Sequence, residues 1–168
     1  MEASARSASW NGTSVTAVHC STGTGPFRSL AGEQPLIEED GARFAAIIWE
    51  PALTAPMPPA KVHREQLLHI LHVAQRQNVQ VQVLPMAEWR AAHLSSHFVM
   101  LSFGPEPAPE AVAYDTSTST VLVEDLAEMA AHARIFEALS AAALTPDQSL
   151  AFVWKALASI PESEKAAE

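Results

Sequence analysis

In KVHREQLLHILHVAQRQ, residues 61–77, apolar side chains recur every three or four positions; in NVQVQVLP, residues 78–85, they recur at every second one. The first spacing marks one face of an α-helix and the second one face of a β-strand. A chain that changes period across a single turn must place both element types in one domain. On the helix the apolar face carries His63, Leu67, Ile70, Leu71 and Ala74. On the strand, Val79, Val81 and Val83 face one way and Gln80 and Gln82 the other.

The remaining elements follow from the same two periods and from the residues that interrupt them. FAAIIWE, residues 44–50, is a short apolar run whose paired isoleucines favour a buried strand. PALTAPMPP carries four prolines and is confined to an extended loop or a single helical turn. HFVMLSF, residues 97–103, is apolar on both sides and reads as a central strand. AVAYDTSTSTVLVED reads as two strands joined by a Thr/Ser turn. Asp125 with Glu128, and Thr145 with Pro146 and Gln148, are start signals for two closing helices. The first of these lines up Leu126, Met129, Ala133, Phe136 and Leu139 or Ala143; the second carries Val153, Trp154 and Leu157. The order predicts an α+β domain: a mostly antiparallel sheet of about five strands, packed by three helices, with a hairpin ahead of the last two. Residues 1–37 read as a flexible leader, 38–161 as a single ligand-binding domain, and 162–168 as a disordered tail.

Composition narrows the functional classes. Hydrophobic residues make up 48% of the 168 positions and charged residues 17%, as in a globular domain. Ten Lys and Arg against nineteen Asp and Glu give a net charge of -9, which opposes direct binding of nucleic acid. No apolar run is long enough to span a membrane, and the first twenty residues lack a secretory core, so the expectation is cytoplasmic. The lone Cys20 admits no internal disulfide.

Several phrases, taken in order, resemble a known family. REQLLHILHVAQRQNVQVQVLP, HFVMLSF, AVAYDTSTSTVLVED and FEALSAAALTPDQS are similar to the C-terminal domain of Scr-type antitoxin-like regulators of actinomycetes, domain of unknown function 5753. The likeness covers about residues 47–160 and implies a domain that binds a ligand or a partner. Members usually carry a helix-turn-helix ahead of it; the residues preceding this domain hold neither the helices nor the cations of such a reader. Two stretches depart from the pattern. IIWEPALTAPM has Thr54 and Ala55 where the family favours arginines, and Trp49 where it favours an acid. AEWRAAHLSSHF sets Trp89, Arg90, His93 and His97 where the family has a glycine-rich loop.

These residues supply the candidate site. Trp49, Trp89, His63, His97 and Tyr114 are the expected lining of a pocket between sheet and helices. His63, on the apolar helix face, also reads as a hydrogen-bonded core histidine. Were the chain an enzyme, His97, Asp115 and His93 would be the proton-transfer groups, because imidazole and carboxylate can exchange protons near neutral pH. His69 and His72 lie on a solvated face, Asp125 is accounted for by capping, and neither a metal nor another cofactor is expected. The leading expectation is a stand-alone module that binds a small apolar molecule or a partner protein, with a homodimer left open. The alternative is a small cofactor-independent enzyme of secondary metabolism, of cyclase or isomerase type, that shapes an apolar substrate.

Overall fold

A computed structural model describes residues 14–19, 43–55, 59–92, 97–102, 109–115 and 119–161, with the first segment and Asp115 described by backbone alone. Among the described residues there are six strands: β1 (Ser14–His19), β2 (Arg43–Trp49), β3 (Val79–Leu84), β4 (Phe98–Ser102), β5 (Ala111–Asp115) and β6 (Thr120–Val123). The helices are α1 (Glu50–Thr54), α2 (Ala60–Val73), α3 (Trp89–Ala92), α4 (Leu126–Ala142) and α5 (Pro146–Ser159). A 3₁₀ turn, Met86–Glu88, runs into α3.

The class is α+β, but the sheet is not mostly antiparallel. Its order is β3-β2-β1-β4-β5-β6. β2 and β3 form a parallel ladder, β4, β5 and β6 an antiparallel one, and β1 joins them, parallel to β2 and antiparallel to β4. The parallel half has a simple cause. β2 and β3 are connected through α2, and a strand–helix–strand crossover returns the second strand in the direction of the first. β1 is a second correction. It lies inside the stretch expected to be a loose leader, yet it supplies a central strand of the sheet. SVTAVH, short and set among Ser, Thr and Gly, gave no lasting alternation to find.

Helices cover both faces of the sheet. Phe44, Ala46 and Ile48 of β2 and Val79, Val81 and Val83 of β3 pack with Leu67, Ile70 and Leu71 of α2 and Val153 and Leu157 of α5. On the opposite face Ile47, Leu84, Phe98, Met100 and Val112 pack with Met129 and Leu139 of α4 and Ala92 of α3. The strict alternation along β2 and β3 is therefore what divides the core into two layers. Leu126 departs from the expected apolar line of α4, since it stands in solvent at the first turn. Trp154 of α5 is likewise exposed, while its neighbours Val153 and Leu157 are buried.

Side-chain hydrogen bonds fix the layers. Asp125 accepts from the backbone N–H groups of Ala127 and Glu128, each at 3.0 Å, and starts α4. Thr145 and Gln148 form a reciprocal capping box at the start of α5. Arg64 of α2 reaches the carbonyls of Leu157 and Ile160, at 3.4 Å each, and so ties α2 to the end of α5. Among the described residues no helix is long and apolar enough to cross a membrane.

Candidate functional site

A cleft of about 440 Å³ opens where β2 and β3 begin and β4 ends, beneath α4. Phe44 and Ala45 of β2 and Val79 and Gln80 of β3 form its floor. Met100, Leu101 and Ser102 of β4 form one wall, and Ala133, Phe136 and Glu137 of α4 the roof. Arg43, exposed at the first position of β2, and Glu137 of α4 line the same largely apolar space, so one cationic and one anionic residue border it. This combination, apolar area with a few convergent polar groups and a volume in the usual range of ligand pockets, suits a small molecule.

The residues singled out in the sequence lie elsewhere. Tyr114, with Trp49, packs on the α4 face of the sheet, whereas His63 belongs to the α2 face. The His63 ring is buried, with Nε2 2.8 Å from the carbonyl oxygen of Leu53, so that α1 is tied to α2. Trp89 is 52% exposed on α3, and the Arg90 guanidinium sits 4.8 Å from its ring centroid. His97 is half-buried and immediately precedes β4. Asp115 ends β5, and His93 lies outside the described residues.

What most of these share is an edge. Trp49 and Leu84 end the parallel strands β2 and β3, and the antiparallel register puts the start of β4 and the end of β5 at that same side of the sheet. Trp49, His97, Tyr114 and Asp115 therefore gather at the edge opposite to the cleft. The indole Nε1 of Trp49 is buried there without a hydrogen-bond partner among the described residues. Buried indole N–H groups usually find one.

One constellation at this edge involves a residue that sequence reasoning passed over. His132 of α4 donates from Nδ1 to the carbonyl of Glu128 at 2.7 Å, a bond that fixes its tautomer. Its Nε2 is then an acceptor, and the Tyr114 hydroxyl donates to it. Phe98 meets the same ring edge-on, with centroids 4.9 Å apart. Desolvation raises the Tyr114 pKa above its ordinary 10.0, and the nearby Glu128 carboxylate raises it further. The phenol is thereby held as a donor. The sequence signal is faint: His132 lies four residues after Glu128 on a helix marked chiefly by its apolar positions.

Sequence reasoning also missed the cleft residues Arg43, Gln80, Ser102, Phe136 and Glu137. They converge only through the strand order, with β1 inserted between β2 and β4. The one available hint was the polar side of the Val/Gln alternation in β3, which in the end divides its work. Gln80 lines the cleft, while Gln82 is buried and bonds Ser140 and Leu144.

A family model described as "Domain of unknown function (DUF5753)" matches residues 28–155. No curated protein and no solved structure matches the chain.

Proposed function

We propose, from the premise that the chain belongs to this family of domains of unknown function, that it is a binding module for a small, largely apolar molecule bearing an acidic group. The observation that carries this reading is the cleft beneath α4. Its walls are mainly aliphatic and aromatic, which favours an apolar body, and Arg43 offers a paired-donor guanidinium suited to a carboxylate. The phrases shared with antitoxin-like regulators support a ligand- or partner-sensing role, in which occupancy of the cleft changes what the surface of the domain presents.

The test is calorimetric titration with apolar carboxylic acids and their primary amides. The acids should bind more tightly than the amides. Arg43→Ala should erase that preference, at a cost of about 1.5–3 kcal/mol for a hydrogen bond to a charged group. Glu137→Gln should leave acid binding unchanged or stronger. If Arg43→Ala binds acid and amide as the parent does, the acidic ligand is wrong.

A second reading, a cofactor-independent catalyst of cyclase or isomerase type, is supported by the Tyr114–His132 pair. A protonated phenol and an imidazole of fixed tautomer are an acid and a base within one hydrogen bond. Under this reading Tyr114→Phe and His132→Asn each lower turnover by about 10²-fold or more, and so would changes at His97 or Asp115 if those groups carry the proton instead.

A further inference from the structure

Strand β3 ends the sheet on one side, and its two halves are bonded differently. The far half is closed by the loop ahead of α5: the N–H of Val83 donates to Ser149 Oγ and its carbonyl accepts from the N–H of Leu144, both at 2.9 Å. The near half carries Gln80, which is exposed and lines the cleft. A chain of hydrogen bonds fixes how the Gln80 amide is turned. Gln82 Nε2 donates to the carbonyl oxygen of Ser140 at 3.2 Å and to that of Leu144 at 3.1 Å. Carbonyl oxygens only accept, so this end of the Gln82 amide is its NH₂ group, with both hydrogens in use. Its Oε1 faces the other way, where it accepts from Ser140 Oγ at 2.8 Å and from Gln80 Nε2 at 3.1 Å. Gln80 therefore turns its nitrogen to Gln82, which leaves Oε1 and one amide hydrogen for the cleft.

We propose that Gln80 is the second polar anchor of the cleft and that the ligand is a hydroxy acid, an apolar chain whose hydroxyl stands on the first or second carbon beyond the carboxyl group. This rests on the reading of the cleft as a site for an apolar acid and names the group beside the carboxylate. Arg43 and Gln80 share the α4 face of the sheet, because their neighbours Phe44, Val79 and Val81 pack on the α2 face. Ala45 is the register partner of Gln80, and Arg43 precedes Ala45 by two residues on β2. One strand across and two residues along amounts to about 8 Å between α-carbons. Side chains stand roughly perpendicular to a sheet, so guanidinium and amide are separated by about as much. Two hydrogen bonds of about 3 Å each leave about 2–3 Å between the ligand's own polar groups, the spacing of a carboxyl oxygen and a hydroxyl on one of those two carbons. Ala45 stands between the anchors, and its methyl group leaves the space above the floor open. The chemistry agrees. Arg43 can only donate and is matched by the carboxylate, whereas Gln80 offers an acceptor and a donor, and a hydroxyl matches both. Glu137 also lines the cleft, but its carboxylate opposes that of an acid, so the alcohol is assigned to the uncharged amide.

Calorimetric titration of the full chain with decanoic acid, its α- and β-hydroxy derivatives and the corresponding methyl ethers tests it. At least one hydroxy acid should bind about three- to tenfold more tightly than decanoic acid, the gain of one net hydrogen bond. Its methyl ether, which keeps the oxygen and loses the donor, should lose that gain. Gln80→Met removes the amide at nearly constant length, and Gln82 Oε1 keeps Ser140 as a donor, so the variant should unfold like the parent. It should bind decanoic acid as the parent does and hold the hydroxy acid no more tightly. The proposal is overturned if neither hydroxy acid exceeds decanoic acid, if the ether binds like the alcohol, or if the preference survives Gln80→Met. A preference lost in Glu137→Gln instead also overturns it. In each of these cases decanoic acid that still depends on Arg43 leaves the wider reading standing. Decanoic acid that binds the parent and Arg43→Ala alike, or binds neither, removes that reading and this inference together.

Discussion

Removing one oxygen atom, by Ser149→Ala, should unlock the closed edge of the sheet. The Ser149 side chain is fully buried; its Oγ accepts from the N–H of Val83 at 2.9 Å and donates to the carbonyl of Thr145 at 2.8 Å. The Thr145 carbonyl keeps a partner in the variant, because the backbone N–H of Ser149 also donates to it at 2.8 Å. The Val83 N–H keeps none, and Val83 itself is entirely buried. Leaving a buried donor unsatisfied costs about 1–3 kcal/mol. Alanine recovers a few tenths of a kcal/mol of helix propensity at this position in the first turn of α5. The net expectation is a loss of about 2 kcal/mol, or about 4–8 °C in melting temperature for a chain of this size. Urea unfolding followed by circular dichroism measures it, with an unchanged denaturant slope as the sign that the folded and unfolded states keep their compactness. Amide exchange adds a local readout, since the Val83 amide should become one of the faster in β3. A loss under about 0.5 kcal/mol with Val83 still protected would mean that the hydroxyl does not close this edge.

Other expectations follow from single interactions. His63→Ala removes both the bond to Leu53 and a buried ring, so chemical unfolding should show a loss of about 2–4 kcal/mol, mostly through the untethering of α1. Asp125→Ala, which deletes the cap of α4, should lose about 1 kcal/mol in the same assay. For Tyr114 the sign comes from its raised pKa. As pH climbs past the ordinary 10.0 the unfolded chain releases the phenolic proton before the folded one does, so stability falls with rising pH. Tyr114→Phe should flatten that alkaline decline in a series of urea titrations, and an unaltered decline would place the responsible group elsewhere.

The sequence made the elements legible and left their arrangement hidden. Helix α2, strand β3, the hairpin of β5 and β6 and both capped helices follow from local signals: a period, a turn, an Asp or Thr ahead of an apolar run. Strand order has no local signal. The parallel pairing of β2 with β3 follows from the α2 crossover only once both flanking strands are admitted to one sheet. β1 is hidden because its six residues, SVTAVH, mix Ser, Thr and His with small apolar residues, and its place between β2 and β4 comes from backbone pairing with strands distant in sequence. The cleft was illegible for the same reason, being bounded by residues 43–45, 77–80, 100–102 and 133–137 that only the strand order brings together. Of the large aromatic and histidine residues that stood out, Trp49, His97 and Tyr114 lie at the other end of the strands, while His63 belongs to the α2 face. Trp89 stood out as a large side chain and proved to be a surface residue paired with Arg90.

The cleft itself is tested most directly by filling it. Ala133, half-buried on α4, lines the roof, and a phenylalanine there would occupy the space between Phe136 and the floor of β2. Equilibrium titration of the parent chain and of Ala133→Phe with the tightest-binding apolar carboxylic acid, each with its unfolding curve, gives two numbers per protein. The account predicts that Ala133→Phe loses acid binding by about tenfold or more, as when ligand contact area is displaced from a preformed pocket, while unfolding shifts by no more than the about 1–3 kcal/mol of an overpacked site. Undiminished binding by a folded Ala133→Phe chain would contradict it.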